Sequence, residues 1–256
     1  MSYQMTPLLQ KCQRDDVKFI IETINSYINF SDDKGLKYVF SKWEEEKMPI
    51  EFANKLETEI RYLGSSEIAY AYRKMAGRVP AGVDVDEILR DIAKMQKITL
   101  KAVSSFEGKL EELVKRMVER GFMSFSPEQQ RELLEKFVKD RNKIDDFFKA
   151  LKAHKNMLLP LLSKIIGEEV VLELIKNLTI LIIAKFVGRE AAKKLLEMIA
   201  KRIPAQWLGP AMWVATTAWL AIDITGPAYR KLIPIMLTLG VVALRDGPED
   251  ENFWKE

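Results

Sequence analysis

Apolar residues return every three or four positions along most of this chain, with charged residues between them. That is the pattern of helices that each bury one face. Val17, Ile20, Ile21 and Ile24 form the clearest early stripe. Helix starts are marked as plainly. Thr6-Pro7 reads as a cap followed by proline at the first helical position, opening a short helix. Asp84 with Glu87, Ser104 with Glu107, and Ser126 with Pro127 and Gln129 have the spacing of capping boxes. In that motif the first side chain accepts an orphan N–H and the residue three positions on reaches back. The loop SDDKG (31–35) ends the first hairpin, Gly64-Ser65-Ser66 joins two helices, and GRVPAG (77–82) is a turn. Strand signals are nearly absent, since the β-rich LTILII (178–183) lies inside a helix-length run between Lys176 and Lys185. The pattern predicts an all-α fold, a multi-helix bundle with a C-terminal apolar helical hairpin packed centrally.

The balance of the pattern shifts near residue 155, from charge-rich helices to apolar ones. We therefore divide the chain into an amphipathic helical region (1–150), an apolar helical region with the hairpin (151–246) and a polar tail (247–256) expected to be mobile. The stretch Ile203–Ile222 carries no charge and is about long enough to cross a ~30 Å hydrocarbon core as a helix. Against a constitutive span stand Pro204 and Pro210, the polar content of its three Trp and two Thr, and Asp223 just beyond it. An acid at mid-membrane costs ~2.5–3.5 kcal/mol even on the lenient insertion scale. The second run, Leu232–Leu244, has only 13 residues and suits a buried helix. A helix apolar on all sides is either central in a folded domain or in lipid. The sequence leaves three readings open: a packed core, a hairpin that inserts conditionally, and a constitutive span.

Composition changes this picture little. A net charge of +3 over 256 residues is too small to argue for nucleic acid, and no RNA-module or zinc-finger spacing is present. The single cysteine, Cys12, rules out an internal disulfide. The N-terminus lacks the pattern of a signal peptide or a lipidation site, so a cytoplasmic location is expected, with peripheral or conditional association with the inner membrane.

Two stretches carry a resemblance. LETEIRYLGSSEIAYAYRKMAG followed by VDEILRDIAKMQKI resembles the central signature of the YaaW family of uncharacterised bacterial proteins. The matching residues are Leu63-Gly64, Ala69 with Arg73, Gly77, and Ile88-Leu89 with Asp91. GPAYRKLIP, Gly226–Pro234, is similar to that family's C-terminal motif. Ser65 stands where many members have a second glycine, and the apolar segment is poorer in glycine than in relatives. The resemblance implies a helical protein with no established activity, and a distant likeness to a ubiquinol–cytochrome c chaperone.

Candidate chemistry is sparse. His154 has no second His or Cys beside it in the sequence, so a zinc site is not expected, and Cys12 lacks the local setting of an activated thiolate. GRVPAG lacks the Lys-Ser/Thr of a P-loop and reads as turn chemistry. Acidic pairs such as Asp15-Asp16, Asp32-Asp33 and Asp145-Asp146 diverge by about 100° on a helix and read as caps or solvated faces. No catalytic residue, cofactor or metal is expected, and the protein is expected not to be an enzyme.

The most informative polar residues belong to the apolar end. Asp223 and Arg230 flank the turn at Gly226-Pro227 and could meet there with the hydroxyl of Tyr229. That cluster would be either a structural staple or a latch that frees the hairpin when broken. The basic helix with Arg189, Lys193, Lys194, Lys201 and Arg202 reads as a solvated face or as contacts with an anionic membrane surface. Trp207, Trp213 and Trp219 would suit the membrane interface or plain core filling. The functional expectation is a non-enzymatic helical protein that conditionally associates with or permeabilises a membrane through its C-terminal hairpin. The alternative is a protein-interaction or assembly module of chaperone-like type. The partners are accordingly membrane lipid or another protein, with homo-oligomers compatible and nucleic acid not expected.

Overall fold

The periodic stripes fold as the sequence predicts. A computed structural model describes residues 3–25, 33–44, 47–101, 105–154, 157–187 and 229–255. The described residues form twelve α-helices and no strand. They are α1 (Thr6–Leu9), α2 (Arg14–Asn25), α3 (Asp33–Lys42), α4 (Ile50–Leu63), α5 (Glu67–Met75), α6 (Val85–Met95), α7 (Phe106–Ser124), α8 (Pro127–Phe137), α9 (Arg141–Ala153), α10 (Leu158–Ile166), α11 (Glu168–Phe186) and α12 (Tyr229–Ala243), followed by a 3-10 turn at Leu244–Asp246.

Local chemistry explains most boundaries. At Ser126 both halves of the capping box form with Gln129. Asp84 caps α6 by accepting the Asp86 N–H, and no reciprocal bond from Glu87 completes a box. The cap of α7 is Ser105 rather than Ser104, with its hydroxyl on the Gly108 N–H. That shift puts a glycine three residues on, where no side chain can reach back. Thr6 lies inside α1 instead of capping it, and α3 begins within the expected SDDKG loop. The β-rich LTILII stretch is helical, inside α11. Among the described residues no helix is long and apolar enough to cross a membrane.

One apolar core collects residues from Met5 to Phe253, and both sides of position 150 contribute to it. Its axis is α12. Every residue from Lys231 to Gly240 is buried, and α7, α11, α2, α1, α4 and α6 pack around it. The expectation of a buried helix over Leu232–Leu244 is met here. The closest approach is to α7, because a Cβ on Gly240 would lie 2.4 Å from Val114 Cγ2 and 3.2 Å from the Leu110 carbonyl oxygen. Only a residue without a side chain lets these two backbones sit so near.

The C-terminal tail is docked, against the expected mobility. Glu111 and Lys115, one turn apart on α7, are both buried and grip it from two sides. The Glu111 carboxylate accepts the Glu249 N–H at 2.9 and 3.1 Å. The Lys115 ammonium donates to the carbonyls of Phe253 and Lys255. Phe253 enters the core and lies beneath the same ammonium, 5.2 Å from its ring centroid. Backbone groups that would face water in a free tail are thus paired with buried charges. The burial of the clamp pushes the Glu111 carboxyl pKa up and the Lys115 ammonium pKa down.

Candidate functional site

A helix that is apolar all round has no charged face to fix its register, so the polar groups at its ends carry that task. The N-terminal end of α12 has two. The Tyr229 hydroxyl donates to Asp91 Oδ2 of α6 at 2.7 Å. Burial and the adjacent carboxylate raise the Tyr229 pKa well above that of a free phenol, so it stays protonated and donating. Two residues on, the buried Lys231 ammonium donates to the Ile24 carbonyl at 2.6 Å. Ile24 lies in the last turn of α2, where the helix dipole favours a cation.

These contacts join the two sequence motifs. Asp91 closes the first and Tyr229 lies in the second, 138 residues later. Other motif residues also acquire structural roles. Gly77 adopts φ +70°, and the Arg78 and Gly77 N–H groups bond back to the carbonyls of Arg73 and Lys74, ending α5 in a Schellman turn. Ser65, the departure from glycine, accepts the Val83 N–H at 2.9 Å and donates to the Arg61 carbonyl at 3.1 Å. Arg73 reaches the same hydroxyl at 3.4 Å.

Beneath Ser65 lies a buried ion pair that was not singled out in the sequence. Glu57 and Arg61 of α4 are shielded from solvent, with Arg61 Nη1 3.3 Å from Glu57 Oε1. Arg61 Nε donates to the Val83 carbonyl at 2.8 Å. The Glu57 carboxylate accepts the N–H groups of Gln4, Met5 and Thr6 and the Thr6 hydroxyl. It therefore caps α1 across about fifty residues of chain, the task Thr6 was expected to perform. Gly82 presses against Arg61 so closely that a Cβ there would come within 2.5 Å of the Arg61 backbone carbonyl carbon. The signal was available. Ala53, Glu57 and Arg61 form one i, i+4 row, and Ala53 belongs to the core.

The proposed latch is only partly visible. Tyr229 turns to Asp91, Arg230 is exposed, and Asp223 lies outside the described residues. A buried Arg230 is therefore not what holds this end of α12. The surface contacts Arg189, Lys193, Lys194, Lys201, Arg202, Trp207, Trp213 and Trp219, and the first half of the hairpin, also lie outside the described residues.

Elsewhere, His154 caps the end of α9 and is exposed. Cys12 is buried with its thiol directed at the Leu8 carbonyl, and burial drives its pKa far up, leaving an unreactive thiol. Asp16 accepts the Gln13 N–H ahead of α2 and pairs with Arg245, and Asp145 pairs with Arg131. Among the described residues no group of three or more His, Cys, Asp or Glu side chains is placed to hold a metal ion.

Comparison with known proteins adds a short likeness. A UPF0174 protein of Helicobacter pylori (strain J99) is 41% identical over 44 residues, 17% of this chain and 17% of that protein. No family model matches the chain, and no solved structure matches it.

Proposed function

We propose that this is a non-enzymatic helical protein that associates conditionally with a membrane through its C-terminal apolar hairpin and permeabilises it when that hairpin is released. The observation that carries the reading is the way α12 is held. It is apolar on all sides, wrapped by amphipathic helices, and tied at its N-terminal end by two polar contacts, Tyr229 to Asp91 and Lys231 to the Ile24 carbonyl. A helix that loses such ties keeps a surface equally at home in lipid. The uncharged run at 203–222 precedes it directly in the chain and would enter with it. Arg189, Lys193, Lys194, Lys201 and Arg202 would meet the anionic headgroups, and Asp223 would complete the latch at the hairpin turn.

The test is co-flotation with anionic liposomes at neutral and acidic pH, with dye leakage read from the same vesicles. Binding with leakage is expected, enhanced by acid and by Asp223→Asn or Asp91→Asn. Absence of binding and leakage at both pH values, in wild type and variants alike, would overturn the reading and leave α12 as an ordinary core helix.

A further inference from the structure

Large apolar side chains on the described surface are not scattered evenly. Three of the most exposed, Tyr72 at 70%, Met75 at 82% and Val79 at 62%, fall within eight residues, on α5 and the turn that ends it. Tyr72 and Met75, three positions apart, share one face of α5, and Val79 follows in the turn beyond the Schellman stop. From Ala71 to Val79 every residue except Arg73 is exposed. The surrounding segment, AYAYRKMAGRVPAG, contains three bases, Arg73, Lys74 and Arg78, and no acid. Those three bases equal the net charge of the whole chain.

The excursion stands on a firm base. Tyr70 packs edge-on against Tyr62 of α4, with ring centroids 4.6 Å apart. Ser66 caps the start of α5, and Ser65 ties its foot to Val83 and Arg61. At the returning end, Pro80, Ala81 and Gly82 are buried, with Gly82 pressed onto Arg61. The tip is thus a fixed projection held at both ends.

We infer that this α5 tip is a docking point for an anionic lipid surface, with Met75, Val79 and Tyr72 entering the headgroup layer and Lys74 and Arg78 meeting lipid phosphates. Charge and shape select this occupant together. Exposed apolar side chains interspersed along the segment with Lys74 and Arg78, and with no acid from 69 to 82, complement a negative bilayer. Tyrosine suits the interface, where its ring is apolar and its hydroxyl stays wet. Met75 stands out from the described surface at 82% exposure. A bilayer accepts such a projecting side chain because its headgroups move aside. The inference rests on the membrane reading above but uses a part of the chain distant in sequence from the hairpin. It names the surface by which the folded protein first meets the bilayer, before any release of α12.

The test compares the 256-residue chain with Met75→Asp, Met75→Leu and the pair Lys74→Glu with Arg78→Glu. Each is floated with phosphatidylglycerol-containing vesicles and with pure phosphatidylcholine vesicles, and leakage is recorded alongside. Wild type should partition at least tenfold better onto the anionic vesicles. Met75→Asp and the charge-reversed pair should each lower that partitioning at least tenfold, and Met75→Leu should preserve it. The charge effect should shrink in about 0.5 M salt, where screening is nearly complete over a few ångströms. Because these side chains are exposed, thermal melts of all variants should overlay that of wild type.

Binding that depends on Met75 without leakage would support the tip and refute the release of the hairpin. Leakage and binding insensitive to Met75→Asp would support the hairpin and overturn the tip. No binding by wild type would overturn both. A concentration-dependent dimer by light scattering that Met75→Asp abolishes, without vesicle binding, would show that a second copy covers the tip and would also overturn the inference.

Discussion

Replacing Glu57 by alanine tests the interior of this protein most directly. Glu57 accepts four hydrogen bonds from residues 4–6 and pairs with Arg61 at 3.3 Å, where neither side chain meets solvent. The substitution would leave the Arg61 guanidinium buried without its counter-charge and three N–H groups at the start of α1 without an acceptor. Removing one partner of a buried pair costs about 3–5 kcal/mol. Against a typical total of about 5–15 kcal/mol, that is about a fifth or more of the stability. For a chain of this size it should lower the melting temperature by about 10 °C. Equilibrium urea unfolding followed by helical circular dichroism measures it, as a lower midpoint at unchanged slope. Glu57→Gln should lose less, because a neutral amide still accepts hydrogen bonds. A double variant with leucine at 57 and 61 should recover only part of the loss, since the N–H groups remain orphaned. A loss below about 1 kcal/mol for Glu57→Ala would mean instead that water reaches the pair in the folded protein and that the pair is not a buried one.

The other predictions concern α12 and the tail clamp. Gly240→Val should destabilise by at least about 1–3 kcal/mol, seen in the same urea titration, because its side chain has no room against Val114 and the Leu110 carbonyl. Tyr229→Phe removes one charge-assisted hydrogen bond to Asp91 and should cost about 1.5–3 kcal/mol; hydrogen exchange should show the loss concentrated at the start of α12. Glu111 has its pKa raised by burial, so its contribution to stability is complete below the unfolded value and is lost as pH rises through the folded one. Stability measured across pH should therefore decline less above pH 4.5 in Glu111→Gln than in wild type.

Most helices were legible because the signals that make them act within four residues. The stripe of α2, the capping box at Ser126 and the turn at Gly77 need only their own neighbours, and all three appear where the pattern put them. The errors came where two local choices were nearly equal. Ser104 and Ser105 are adjacent hydroxyls with the same local signal, and the cap of α7 is the second. The polar anchors were less visible. Glu57, Arg61, Glu111 and Lys115 read as ordinary i, i+4 pairs on charged helices, a pattern usually solvated. Their positions beside core residues were the clue, but burial also needs something to lie on top of them. For Glu57 that cover is the N-terminal segment, and for Glu111 and Lys115 it is the tail.

Spacing along the chain is enough to show that it is helical, that Leu232–Leu244 suits a buried helix, and that two motifs stand out. The assembled fold sets the contact of Tyr229 with Asp91, the docking of the polar tail, and the exposure of Tyr72 and Met75 on α5. Periodicity reports which face of a helix is apolar, whereas a contact between residues 138 positions apart, or the exposure of Met75, depends on how all the faces are assembled around α12.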